Sequence, residues 1–129
     1  MKTFLSLSGL ARLWGYVIAL VSTKSDKVAI VEHGTSDTTL ELSPNVLHRW
    51  GPVVSLTLTL GTAEAGYAAE YMVEFVSGST PTSLHLPATV KFDDKIELDA
   101  NNQLTIEANK IYQLSIEHNV ALLVSVDNA

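Results

Sequence analysis

The stretch 46–92 constrains the fold most, because apolar and polar residues alternate along it with a period of two. Every second residue of the segment 54–60 is Val or Leu, and the pattern returns at Tyr71, Val73 and Phe75. Such alternation is typical of strands that bury one face and expose the other to water. The stretch therefore predicts a mainly β domain.

Turn residues divide residues 27–129 into about nine short strands. Gly, Pro, Asn and Asp interrupt the apolar runs at 34–37, 43–45 and 77–81, and His118-Asn119 fits a tight hairpin turn. Short strands at such intervals predict a β-sandwich or a jelly-roll-like domain over 27–129. In the last strand we expect four residues to face inward: Val120, Leu122, Val124 and Val126.

The N-terminal segment 1–24 has a different period. Its apolar residues recur three and four positions apart, which predicts an amphipathic helix from about Ser8 to Ser22 and roughly 22 Å long. The apolar side of this predicted helix has to be covered by a partner surface. That surface lies either on the same β domain or, as we favour, on another chain. The expected partner-binding residues are Leu10, Leu13, Trp14, Val17, Ile18 and Val21.

Composition and charge narrow the classes of function. The 129 residues predict one domain beside the arm, and the absence of cysteine leaves no disulfide framework. The net charge is −6 and Lys and Arg do not cluster, so we expect no nucleic-acid partner. The apolar run 13–21 is too short to span a membrane, and we expect neither a membrane anchor nor a signal peptide.

The residues show no pattern of catalysis or metal binding. The four histidines lack the spacing of zinc ligands, and the Asp and Asn residues of 93–102 lack that of a calcium loop. Glu70 and Glu74 would lie about 13 Å apart along one strand, farther than the carboxylates of glycosidases. We expect no enzyme, no cofactor, no metal and no catalytic residue.

Aromatic residues offer a second kind of site. Trp50 and Tyr67 lie near the loop that follows the central strand, where exposed rings could bind a sugar. Packing in the core or at its rim is the competing interpretation, because a large aromatic side chain stabilises most when it is buried.

Two parts of the chain resemble proteins of tailed bacteriophages. The start, with Gly9-Leu10, Leu13-Trp14 and Ile18, is similar to the start of many phage structural proteins. The region 42–113 resembles a small β module that ends virion proteins of phages of gut bacteria, the crAss-like group among them. Three pieces carry the second likeness: Y-M-x-E-F at 71–75, S-G-x-T-P-T at 77–82 and E-A-N-K-x-Y-Q at 107–113.

This resemblance implies a structural role in the virion: auxiliary capsid or decoration protein, or attachment of a head or tail fibre. It implies other virion proteins as partners (capsid, portal or fibre subunits) and a homo-oligomer, for which a trimer is one candidate. It implies synthesis in the cytoplasm of the bacterial host. The alternative function is a module that binds carbohydrate or a host receptor, with Trp50 and Tyr67 as ligand-binding residues and a host surface glycan as partner.

Overall fold

The computed structural model describes residues 28–94, 96–101 and 103–128, and this part of the chain is mainly β with no helix. The arm 1–24 and its six partner-binding residues lie outside the described residues. The nine strands are β1 (Ile30–His33), β2 (Thr39–Leu42), β3 (Leu47–Pro52), β4 (Ser55–Leu60), β5 (Glu70–Ser77), β6 (Ser83–His85), β7 (Lys91–Phe92), β8 (Lys110–Glu117) and β9 (Val120–Asp127).

The strands form two sheets. The large sheet has six strands in the order β1-β3-β5-β8-β9-β7, and the small sheet has three in the order β2-β4-β6. Strands β1, β3 and β5 are parallel to one another, as are β2, β4 and β6, whereas β8 is antiparallel to both β5 and β9. The inward side chains of both sheets form one core.

The pairing of the first six strands differs from that of a jelly roll or an antiparallel sandwich. The chain changes sheets after every strand from β1 to β6, so each strand lies beside the strand two positions earlier and runs in the same direction. Ile30 is paired with Leu47 in the large sheet, and Thr39 is paired with Thr57 in the small one. Consecutive strands therefore do not pair here, and the antiparallel pattern is confined to β5, β8 and β9.

The alternation seen in the sequence sets which side chains enter the core. Leu56 and Leu58 of β4 and Tyr71, Val73 and Phe75 of β5 are all buried. Trp50 and Ile116 from neighbouring parts of the large sheet complete the centre of the same cluster. Val54 is the exception, because Val53 is the buried residue before β4 and Val54 points away from the core.

The β8–β9 hairpin turns through His118 and Asn119, which both have positive φ, at 50° and 61°. Two such residues between paired strands make a type I′ turn, whose twist matches that of a hairpin. The segment 104–107 is not a strand, and Leu104 forms a single bridge with Leu98. No helix among the described residues is long and apolar enough to cross a membrane.

Candidate interaction surface

The outer face of the large sheet exposes a stripe of large apolar side chains along β9, which we call the β9 stripe. Its four members are 51–63% exposed: Val120, Leu122, Val124 and Val126. Fully burying a Val or Leu side chain stabilises by about 1.5–3 kcal/mol, so covering side chains this exposed would contribute roughly 1–2 kcal/mol each. Adjacent apolar side chains at this exposure are typical of an interaction site.

The expectation that the β9 stripe faces inward is wrong, and the hairpin explains why. The two-residue turn pairs Ile116 with Ala121, and cross-strand partners share a face of the sheet. Because Ile116 is fully buried, Ala121 is also buried and its neighbours Val120 and Leu122 point outward. The outward direction of these β9 side chains could have been predicted from the sequence by counting residues from the turn back to Ile116.

The β9 stripe continues across the sheet as a row of paired residues. Leu122 is paired with Ser115, Ser115 with Met72, Met72 with Leu47, and Leu47 with Ile30. The row contains four apolar residues from four strands and one serine. A second apolar row, farther along the strands, runs through Pro52, Val76, Ile111 and Val126.

A charged row separates the two apolar rows. Arg49 lies between two carboxylates, with Nη1 3.2 Å from Glu32 Oε1 and Nε 2.8 Å from Glu74 Oε2. Gln113 Nε2 donates to Glu74 Oε1 at 3.0 Å. These charges are already partnered within the sheet, so a molecule that covers this face does not have to supply a partner for each of them.

A groove of about 360 Å³ lies on this face, between the side chains of β3, β5, β8 and β9. Its wall is mostly apolar and includes Leu47, Met72, Leu122 and Val124. Glu70 lines one end, where its Oε1 accepts a hydrogen bond of 2.6 Å from Ser115 Oγ. The geometry suits apolar side chains with a cationic group beside them.

The β9 strand also has an open edge. Within residues 28–94, 96–101 and 103–128, its second side pairs only with β7, through Lys91–Val120 and Phe92–Ala121. The backbone from Leu122 to Asp127 therefore has no strand on that side among the described residues. An unpaired edge next to an exposed apolar stripe favours association with another polypeptide.

The two aromatic residues proposed for sugar binding are not brought together as exposed rings. Trp50 is 1% exposed, and its Nε1–H donates to the carbonyl oxygen of Asp37 at 2.8 Å. It stacks on the ring of His33, with ring centroids 4.4 Å apart. The core-packing interpretation is thus the observed one for Trp50, and only Tyr67, at 70% exposed, presents its ring to solvent.

Next to Trp50, a chain of hydrogen bonds connects two histidines. Ser43 N–H donates to His48 Nε2 at 3.1 Å, so the proton of neutral His48 is on Nδ1. That Nδ1 lies 2.9 Å from His33 Nε2, and His33 Nδ1 lies 2.8 Å from Asp37 Oδ2. Burial lowers the pKa of His48, and the nearby His33 lowers it further. These hydrogen bonds connect β1 to β3 and to the neighbouring turns that contain Asp37 and Ser43.

The carboxylates considered for chemistry have structural partners. Glu70 and Glu74 bind Ser115, Gln113 and Arg49 as described above. Asp99 Oδ1 accepts hydrogen bonds from the backbone N–H groups of Asn101 and Gln103, at 2.8 and 3.0 Å, as in a turn. Among the described residues no group of three or more His, Asp or Glu side chains is arranged to hold a metal ion.

Comparison of the chain with protein-family models, curated proteins and solved structures finds no match.

Proposed function

We propose that this chain is a structural subunit of a bacteriophage virion, an auxiliary capsid or decoration protein or a fibre-attachment subunit. In this proposal, a two-layer β domain of the sandwich type carries an N-terminal amphipathic helix that anchors it to a neighbouring virion protein. The chain is made in the cytoplasm of the bacterial host and acts in the particle without catalysis.

The observation that carries an assembly role is the apolar outer face of the large sheet. An isolated domain gains nothing from four large side chains of β9 in water, whereas a subunit that associates buries them. The open edge of β9 beyond Ala121 points to the same use. The bacteriophage context comes from the sequence resemblance of 5–20 and 42–113.

The competing function, carbohydrate or receptor binding, has less support. Its main residue, Trp50, is enclosed by His33 and the backbone of Asp37 and offers no ring face to a sugar. Tyr67 alone is exposed, and one ring without convergent polar groups is a weak site for a sugar. We therefore keep this function as an outcome of the test below.

The test is quantitative mass spectrometry of purified particles of the phage that carries the gene. A copy number close to that of the major capsid protein supports a decoration subunit, and a few copies support a place at the portal, tail or fibre base. Absence from the particles would refute the virion role and make glycan binding the next hypothesis to examine.

A variant links incorporation to the arm. Replacing Trp14 and Ile18 by Asp should leave the β domain folded, as judged by circular dichroism, and remove the chain from particles. A matched control is Val54→Asp, which places a charge on an exposed apolar residue outside the arm and outside the β9 stripe. Normal incorporation of the arm variant would contradict an anchoring role for the helix.

A further inference from the structure

We propose that the groove on the outer face of the large sheet receives residues 8–22 of a second copy of this chain. The inference rests on the proposed function, in which the arm binds a neighbouring subunit, and it names that neighbour. Each copy then contributes one arm and one groove to a homo-oligomer.

The groove has the surface chemistry that an amphipathic segment needs. Leu47 and Met72, together with Leu122 and Val124 of the β9 stripe, line it with apolar side chains. The segment 8–22 offers a matching apolar set at helical spacing, with Trp14 near its middle. A large aromatic residue inserted between apolar walls is the usual anchor of such an interface.

Net charge favours the arm over another β domain as the occupant. Residues 1–27 contain four of the eight Lys and Arg residues and one of the fourteen Asp and Glu residues, which gives a net charge of +3. Residues 28–129 hold the other four basic and thirteen acidic residues, a net charge of −9. Two such domains repel one another face to face, whereas the basic arm is attracted to either.

The charged side chains at the groove also favour a basic occupant. Glu70 lines the groove and lies directly opposite Glu117 in the β5–β8 pairing, so two carboxylates share one end of this face. Like charges in opposite positions of a sheet destabilise each other, and a cation between them removes the repulsion. Arg12 lies within the arm, two residues from Trp14, and is the candidate for that cation.

The position of the arm in the chain allows this contact. The arm precedes β1, whose first residue, Ile30, pairs with Leu47 at the groove. Because residues 23–29 span at most about 24 Å when extended, the arm can reach the groove of its own domain or that of a second copy, and the mixing experiment below separates the two.

A contact between an arm and a groove is heterologous, so it forms either a closed ring of two or more copies or an open chain. Every groove in a closed ring is filled, and no apolar arm is left over. An open chain of copies would leave one of each exposed. The inferred assembly is therefore a small closed oligomer whose subunits are linked by arms.

The first experiment measures the molar mass of the full chain and of point variants by light scattering over a range of concentrations. Leu122→Glu and Val124→Glu should each weaken association by at least about tenfold. Val54→Glu is the matched control, because Val54 is 61% exposed, much like both targets, and lies off the large sheet's outer face. Circular dichroism verifies that each variant is folded.

The second experiment mixes two defective full-length chains, one with Trp14→Asp and one with Leu122→Glu. Each alone should be monomeric, since one lacks a competent arm and the other a competent groove. Together they should form a mixed dimer, visible by native mass spectrometry, because the first keeps its groove and the second keeps its arm. Only exchange between copies predicts this complementation.

Three results would overturn the inference: a wild-type chain that stays monomeric, an oligomer that Leu122→Glu and Val124→Glu leave intact, or no mixed dimer. A monomeric wild type would mean that the arm binds its own domain or another protein. Particle incorporation separates this inference from the proposed function. A chain that is found in particles but whose oligomer Leu122→Glu leaves intact refutes the arm–groove contact alone, whereas an oligomer that depends on Leu122 but is absent from particles refutes the virion role alone.

Discussion

Lowering the pH from 7.5 to 5.5 should destabilise the domain through the hydrogen-bond chain of His33 and His48. The hydrogen bonds of His48 require its neutral ring, because the bond from Ser43 N–H and the bond to His33 Nε2 each already hold one proton. An added proton on His48 Nε2 would face the N–H of Ser43.

The sign and size of the effect follow from the lowered pKa of His48. The unfolded state, with a histidine pKa of 6.5, binds a proton at a higher pH than the folded state does. The stability that comes from neutral His48 is thus complete above about pH 6.5 and is lost as the pH falls from there toward the folded pKa. The linkage relation limits the loss to about 1.4 kcal/mol per pH unit for one group.

The assay is urea denaturation at pH 7.5, 6.5 and 5.5. All three pH values lie above the range where most carboxylates titrate. Wild type should lose unfolding free energy between pH 6.5 and 5.5, by at most about 1 kcal/mol. His48→Asn should be less stable at pH 7.5 but should show a flatter pH profile. His85→Asn, which changes an exposed histidine, should keep the wild-type profile. Equal pH slopes for wild type and His48→Asn would refute the reasoning.

Three further predictions concern packing, a turn and a close backbone approach. Ile116→Ala should lower the unfolding free energy by about 2–5 kcal/mol, whereas Leu122→Ala should change that of the monomer by less than about 0.5 kcal/mol. Equal losses in urea denaturation would contradict the observation that Ile116 is buried and Leu122 is exposed. His118→Asn should raise the melting temperature slightly, since Asn tolerates the positive φ of this turn. Gly61→Ala should cost about 1–3 kcal/mol in denaturation, because its Cβ would lie 2.7 Å from the carbonyl oxygen of Leu42.

The residues that enter the core were largely predictable from local pattern. Alternation placed Leu56, Leu58, Val73 and Phe75 on buried faces, and all four are in the core. The hairpin was predictable for the same kind of reason, since the residues that form a two-residue turn are adjacent in sequence. Such features depend on backbone geometry over a few residues.

The candidate interaction surface was not predicted, because the alternation within β9 does not show which of its two faces meets the core. Alternating Val and Leu residues in β9 look like a buried set when the strand is read by itself. Their actual side of the sheet is set by the partner strand, in which Ile116 occupies the core opposite Ala121. An exposed apolar stripe therefore has the same local sequence signature as a buried one.

The sequence by itself determined that this protein is mainly β, where most of its strands lie and how its last hairpin turns, because these depend on short-range periodicity and turn chemistry. Only the tertiary structure decided that β1 to β6 alternate between two sheets with parallel partners. It also decided that Trp50 is enclosed. Pairing between strands 17 or more residues apart fixes which faces of β1 to β4 meet the core, and no local pattern contains that information. The side of each β9 residue, in contrast, follows from its own hairpin once Ile116 is placed in the core.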